Sequence, residues 1–586
     1  MSTTTIAKAV LSQRPATLLS SLYTYARSHA SRILVAYILY ILLKYRNTAL
    51  GVKPRPDLPG PKGWPLIGNT IFMINRPKSK NHQINTKFHE EYGKVYTVTV
   101  IGFPRVINIT DPEMIDHILR TNFWNYEKGK FFRAALAPLI GGGIFGADGQ
   151  HWRWQRKLAS HIFTAQSLRD YTDEAFRHGA QLVVDYFNKI TDTSSKSEDE
   201  NAIVDLQNVF LLFTLDTFGE VAFGQSFGCL KDPSQQIEFA VVFDRMNTSL
   251  TRRFRLPFWK VTEWWTGRDK QIERDTEIIS DFAYNLIRKR RLEVSERQQQ
   301  QEQEDEGEKL EDTLDGLGIK GNNATTTSDS RGNQSKNVKS KDGKKKDLMQ
   351  LFMDATDDNG EKLSDEALRD TLLNFILAGR DTTAQALSWM FYLILRSDSR
   401  KEILEKLVSE IDSTLDANQF NNYNQDTASA VPTFDTIKTQ KYAEACLYES
   451  LRLYPSVPRN IKICIEDDVL PKGVRVYKDE IIGWDAWAMG RDTTIWGPDA
   501  HEYRPERWLQ GEKFSPSKFI AFNLGPRTCL GQQFATMEAI MITSMILRNF
   551  SLELVHPDKE PTYEHALTLP MAEGLPVKIR RRALAN

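Results

Sequence analysis

The chain has 586 residues and a formal net charge of zero, 76 Lys and Arg against 76 Asp and Glu. Hydrophobic residues at 41% and aromatics at 10% supply a large core and exclude a wholly disordered chain, and charge neutrality excludes a generally basic, nucleic-acid-coating protein. Four widely spaced cysteines (Cys229, Cys446, Cys464, Cys529) are too few for a disulfide scaffold and fit a reducing compartment.

In chain order, the first feature is the uncharged run Ile33 to Leu43, 11 residues long. A bilayer core of about 30 Å asks for roughly 20 apolar residues, so the run predicts a short or tilted anchor. Arg32, Lys44 and Arg46 flank it and Tyr37, Tyr40 and Tyr45 suit an interface. A secretory signal fits poorly, because 32 residues precede the run and charges follow it. A buried core helix is the other alternative. Residues 1–53 are therefore expected to form an anchor region, and 54–68, with five prolines, a stiff hinge.

The body, 69–586, reads as mainly α with small β-sheets. Val95 to Val100 and Arg105 to Ile109 alternate as strands. Asp347 to Met353 and Leu368 to Leu395 carry apolar residues at helical spacing. Gly141-Gly-Gly143-Ile-Phe-Gly146 satisfies the dinucleotide pattern Gly-x-Gly-x-x-Gly, but no β-run precedes it, so it reads as a loop and no nucleotide site is expected. Residues 296–346 pass from an acidic to a basic block with almost nothing apolar, which predicts a disordered insertion.

The chemistry gathers in Phe522-Asn-Leu-Gly525-Pro-Arg527-Thr-Cys529-Leu-Gly531. A glycine-rich loop brings one cysteine up just before an apolar helical run, where backbone N–H groups and the helix dipole favour a thiolate. Gly525 and Gly531 let backbone lie close to a flat ligand, and Arg527 offers a cation to its acidic groups. In the central apolar helix, Asp381 has to be inward, and either costly or functional. The Thr382 hydroxyl reaches back to the Ala378 carbonyl, and Gly379 tolerates the resulting bulge. Glu449 and Arg452, three apart, pair on one helix face.

The pattern Phe-x-x-Gly-x-Arg-x-Cys-x-Gly resembles that of the cytochrome P450 family of haem-thiolate monooxygenases. Four further segments resemble the family in order: Trp152-Arg-Trp-Gln-Arg156, Ala378-Gly-Arg-Asp381-Thr382-Thr383, Glu449-Ser-Leu-Arg452, and Arg504-Pro-Glu-Arg507-Trp508, where Trp replaces the usual Phe. The resemblance implies one large haem domain of the cytochrome P450 fold. It implies haem b with Cys529 as the axial iron ligand and O2 as co-substrate. Arg527, Trp152 and Arg156 are then expected at the haem propionates, with Lys462 standing where relatives carry Arg. Asp381 and Thr382 are expected to deliver protons during oxygen activation, and Glu449, Arg452 and Arg507 to support the cysteine loop.

No flavin or nicotinamide domain is evident, so the resemblance implies NADPH–cytochrome P450 reductase as electron donor, with cytochrome b5 as a second, at the endoplasmic reticulum membrane facing the cytosol. Leu250-Thr-Arg-Arg-Phe-Arg-Leu-Pro-Phe-Trp-Lys260 resembles a segment of fungal and plant fatty-acid ω-hydroxylases. A small hydrophobic substrate is expected, a fatty acid or n-alkane hydroxylated at its end. Phe145, Phe375, Ile376, Val457 and Leu569 are the pocket candidates. The rivals are a broad xenobiotic or aromatic hydroxylase and a haem-binding sensor or carrier; the latter would have no use for Asp381-Thr382.

Overall fold

The computed structural model describes residues 14–161, 163, 164, 166, 169, 172–194, 202–232, 237–316, 347–356, 360–415, 431–511 and 514–582. Helices dominate. In chain order those that bear on function are α1 (Arg14–Lys44), α2 (Thr70–Asn75), α3 (Asn81–Tyr92), α4 (Gly129–Ile140), α5 (Gly149–Ser160), α6 (Asp173–Ser194), α7 (Leu206–Phe223) and α8 (Glu238–Thr251). They continue with α9 (Trp259–Thr266), α10 (Arg268–Gly316), α11 (Asp365–Ile376), α12 (Thr382–Arg396), α13 (Lys441–Leu453) and α14 (Gln532–Asn549).

Local chemistry accounts for several of these ends. The Asp205 side chain accepts the Gln207 N–H at the start of α7, and Gly224, at φ +70°, closes it in the left-handed conformation. The Ser364 hydroxyl caps α11 at Ala367. Helix α7 is apolar on every face because it is central, packing against α12, α6 and the segment between α11 and α12.

Three small sheets flank the helices. β1 (Val95–Val98), β2 (Val106–Ile109), β3 (Tyr126–Glu127), β5 (Arg459–Cys464) and β8 (Ile481–Asp485) form one, in the order β1-β2-β8-β5-β3. Only β2 and β8 run parallel in it, with Val106 opposite Ile481. β4 (Ala202–Asp205), β10 (Pro576–Arg581) and β9 (Phe550–Leu554) form the second, and β6 (Asp468–Val469) with β7 (Arg475–Val476) the third. The two predicted strands are β1 and β2. The predicted helix at 347–353 is Leu348–Asp354, capped by Asp347.

Two boundaries differ from expectation. Helix α10 continues through the acidic block to Gly316. Its buried stripe Ile272, Ile279, Ala283 and Ile287 anchors the first half, and Gln and Glu are good enough helix formers to extend it. The basic block lies outside the described residues. At the other end, α1 exposes Ile33, Leu34, Leu39 and Leu43, yet among the described residues no helix is long and apolar enough to cross a membrane. Within α1 the polar stretch Arg27-Ser-His-Ala-Ser-Arg32 precedes the apolar run.

The glycine loop after α4 follows a helix. A Cβ on Gly141 would lie 2.0 Å from the Asp370 carboxylate, which accepts the Gly142 N–H at 2.7 Å. These glycines let the loop clamp onto α11, which is a packing reason for the pattern.

Candidate active site

The cysteine loop is built by backbone. The Cys529 N–H donates to the Phe522 carbonyl at 2.8 Å, and the Thr528 N–H and hydroxyl both donate to the Gly525 carbonyl. Gly525 has φ +66°, and a Cβ there would sit 2.0 Å from the Leu119 carbonyl oxygen. A protein contact therefore already demands glycine there. At Gly531 a Cβ would meet only a Phe163 ring carbon at 3.6 Å and the Cys529 Sγ at 4.0 Å, so one side of the sulfur is kept open.

Cys529 is exposed, whereas Cys229, Cys446 and Cys464 are buried. Its surroundings push the thiol pKa up, because desolvation outweighs the Gly531 N–H and the Arg156 charge. A bound metal cation reverses that balance, since a coordinating thiol loses its proton outright.

Beside the loop lies an excess of positive charge. Arg527 donates to the Ala147 carbonyl at 2.7 Å and to Asp148 at 3.0 Å, with its guanidinium 4.5 Å above the Trp152 ring. Arg133 also pairs with Asp148. Lys462 is buried, donating to the Tyr126 carbonyl at 2.6 Å over the Phe123 ring. Burial, then the charges of Arg527 and Lys128, pushes its pKa well down. Lys128 donates to Asn460 at 2.7 Å and is pushed down to about 7, again mainly by burial. Arg527 and Arg133 thus pair with Asp148, while the Lys128 and Lys462 amines have no carboxylate in an ion pair among the described residues. An anionic ligand edge would supply the missing charge, so this donor set fits a haem with its propionates.

Sequence reasoning missed Lys128, Arg133 and Asp148, which belong to none of the matched motifs. It also placed Arg156 at the propionates. The structure has Arg156 donating to the Thr528 carbonyl at 2.7 Å, bracing the residue before Cys529. Trp152 is buried and serves as a ring platform for Arg527.

The central helix bulges as expected. Residues Leu377–Asp381 form a π-helical turn between α11 and α12. A π-turn displaces backbone acceptors, and hydroxyls take them up. Thr382 donates to the Ala378 carbonyl at 2.7 Å, Thr214 to the Arg380 carbonyl at 3.0 Å, and Ser456 to the Thr382 carbonyl at 2.7 Å. Gly379 is fixed by packing, since a Cβ would lie 2.2 Å from the Phe218 ring on α7.

Asp381 is inward, 3% exposed, accepting from Arg380 at 2.8 Å and from Asn247 at 3.1 Å. Burial pushes its pKa up to about 6 against the pull of Arg380. Arg380 also reaches Asp244, whose side chain is 49% exposed, so the guanidinium stands between an outer and an inner carboxylate.

Glu449 and Arg452 are both fully buried and meet in a two-point pair, at 2.8 and 2.7 Å. Arg507 reaches Glu449 at 3.5 Å, and the Trp508 indole N–H donates to it at 3.0 Å. The Trp that replaces Phe in the motif thus adds a donor Phe lacks. On the same helix, Tyr448 packs its ring on Trp508 at 5.5 Å and on Phe522 at 5.9 Å. This carries the triad's rigidity to the cysteine loop.

Of the pocket candidates, Phe145 and Val457 keep 37% and 38% exposure. Phe375, Ile376 and Leu569 are core residues. Phe375 packs between Phe163, at 6.5 Å, and Phe352, at 6.0 Å. Apolarity, the signal that named these three, is shared by core and pocket.

The family model described as Cytochrome P450 matches residues 58–575. Among curated relatives, Cytochrome P450 monooxygenase cyp1 of Mycosarcoma maydis is 33% identical over 558 residues, 93% of this chain and 78% of the relative. Cytochrome P450 704B1 of Arabidopsis thaliana is 32% identical over 541 residues, 89% of this chain and 95% of the relative. Cytochrome P450 86B1 of the same plant is 35% identical over 485 residues, 81% and 77% of the two chains.

Proposed function

The chain belongs to the cytochrome P450 family, and from that premise we propose that it hydroxylates the terminal carbon of a fatty acid or n-alkane. The family makes it an oxygen-using oxidoreductase with haem b held through a cysteine thiolate. Bound at Cys529, the haem would supply O2 activation, with the thiolate favouring O–O cleavage. The observation that carries the reading is the accessible Cys529 in the same domain as a bulged helix bearing a buried Asp381 whose pKa is raised to about 6.

The protein's own residues then have separate tasks. Lys128, Lys462 and Arg527 would hold the propionates, and Arg156 braces the cysteine loop. Asp381, with a pKa of about 6, gains and loses a proton near neutrality. Arg380, held between Asp244 and Asp381, ties the inner carboxylate to a half-exposed one at the surface. Thr382 has its own proton committed to Ala378, which leaves its oxygen free to accept a hydrogen bond and position a water or oxygen species.

Electrons come to the family from redox partners; we assign NADPH–cytochrome P450 reductase, assisted by cytochrome b5. The exposed apolar side chains of α1 support attachment to the endoplasmic reticulum membrane with the body in the cytosol. The substrate reading rests on the Leu250–Lys260 segment and is tested by adding dodecanoate, dodecane or a polycyclic aromatic to the haem-loaded protein. Aliphatic ligands are expected to give the low- to high-spin shift, and product analysis a terminal alcohol. A shift with aromatics alone would overturn the substrate assignment.

A further inference from the structure

The arginine-rich segment Thr251-Arg-Arg-Phe-Arg255 contains one arginine whose charge the protein answers and one whose charge it does not. Arg253 meets Glu263 through two hydrogen bonds, both 2.8 Å. Arg255, only 8% exposed, has no carboxylate partner among the described residues. It donates through Nη2 to the carbonyls of Met73, at 3.0 Å, and Arg76, at 2.6 Å, while its Nε and Nη1 bond to no described residue. A buried guanidinium satisfied by two carbonyls leaves its charge uncompensated, which is costly unless an anion joins it.

Its neighbours deepen the imbalance. Arg76, 7% exposed, is also without a carboxylate partner among the described residues; it donates to Asn85 at 2.7 Å and to the Asn81 carbonyl, and its Nε has no partner. The Nε of Arg252 is likewise unpartnered. Burial and the charges of Arg255, His82 and Arg76 push His565 down to about 3, and burial, Arg252 and Arg255 lower Lys78. Asp485 is occupied by Asn85 and His82, reaches Arg459 at 4.0 Å, and meets Arg76 only through Asn85. Glu564 is exposed.

The cluster is tied to the oxygen-activating helix. Two residues beyond His565, the Leu567 N–H donates to Asn247 at 3.0 Å, and Asn247 donates to Asp381 at 3.1 Å. One loop therefore joins the cationic cluster to the bulge.

We propose that Arg255, backed by Arg76, binds the carboxylate of a long-chain fatty acid, so that acids are taken in preference to alkanes and alcohols of the same length. This rests on the aliphatic reading above and narrows it. A carboxylate answers the planar guanidinium with a charge-assisted, two-point hydrogen bond, whereas an alcohol offers a single neutral acceptor.

The test is a spectral titration of the haem-loaded full chain with dodecanoate, dodecanol and dodecane, for the wild type, Arg255→Met and Arg255→Lys. The wild type should bind dodecanoate at least about tenfold more tightly than dodecanol. Arg255→Met should bring the two within about twofold by weakening dodecanoate alone, and Arg255→Lys should keep part of the preference. Equal wild-type affinity for all three ligands, or a preference that survives Arg255→Met, would overturn the headgroup assignment alone. No spin shift with any of them would remove the aliphatic reading and this inference together. Where Arg255→Met fails to fold, Arg255→Lys decides: a partial loss of the dodecanoate preference supports the assignment and an undiminished one overturns it.

Discussion

Glu538 lies fully buried on α14, and its replacement by Gln isolates the cost of placing a carboxyl there. The Thr217 hydroxyl donates to its Oε1 at 2.5 Å. That bond favours the ionised carboxyl, but complete burial outweighs it. Burial pushes its pKa up from 4.5 to about 8. Because the folded state binds the proton more tightly than the unfolded state, stability is retained below pH 4.5 and falls as pH rises toward 8. At about 1.4 kcal/mol per pH unit, the full loss is about 5 kcal/mol. Glu538→Gln keeps the shape and a donor but cannot ionise. Urea unfolding of both proteins across this range should show nearly equal stability at the acid end and a widening advantage for the variant, reaching several kcal/mol at the alkaline end. A difference that does not change with pH would refute a neutral, buried Glu538.

Other sites give sharper local tests. Gly379→Ala drives a Cβ into the Phe218 ring and should cost about 1–3 kcal/mol in thermal unfolding, recovered in part when Phe218→Val makes room. Trp508→Phe restores the common motif residue but removes a donor to a buried carboxylate, and should cost about 2 kcal/mol. Glu449→Ala, which strands Arg452 in the core, should cost about 3–5 kcal/mol and loosen haem retention. Asp381→Asn should lower turnover about 100-fold with substrate spin-shift affinity unchanged, and should remove the activity change centred near pH 6.

What the sequence made legible was local. Thr382 and Ala378 are four apart, Glu449 and Arg452 three apart, and the Cys529 loop is a continuous stretch, so helix geometry and turn residues place each of them without knowledge of the fold. Thr217 and Glu538 are separated by 321 positions, and Arg255 reaches Arg76 over 179. Such pairs form only when helices pack, and no spacing announces them. Lys128 was invisible for the same reason. It carries no motif and gains its meaning from burial beside Lys462 and Arg527. The helical continuation to Gly316 was missed because a lack of apolar residues was read as disorder, whereas the packed first half of α10 supports the polar second half. Gly525 was legible as a required glycine but not in its cause, the Leu119 carbonyl.

The reduced, CO-bound absorption spectrum tests the central assignment most directly. The wild type should show a thiolate-type Soret band, and Cys529→Ala should lose it while Cys446→Ala, at a buried thiol, retains it. An unchanged thiolate-type band in Cys529→Ala would contradict the account.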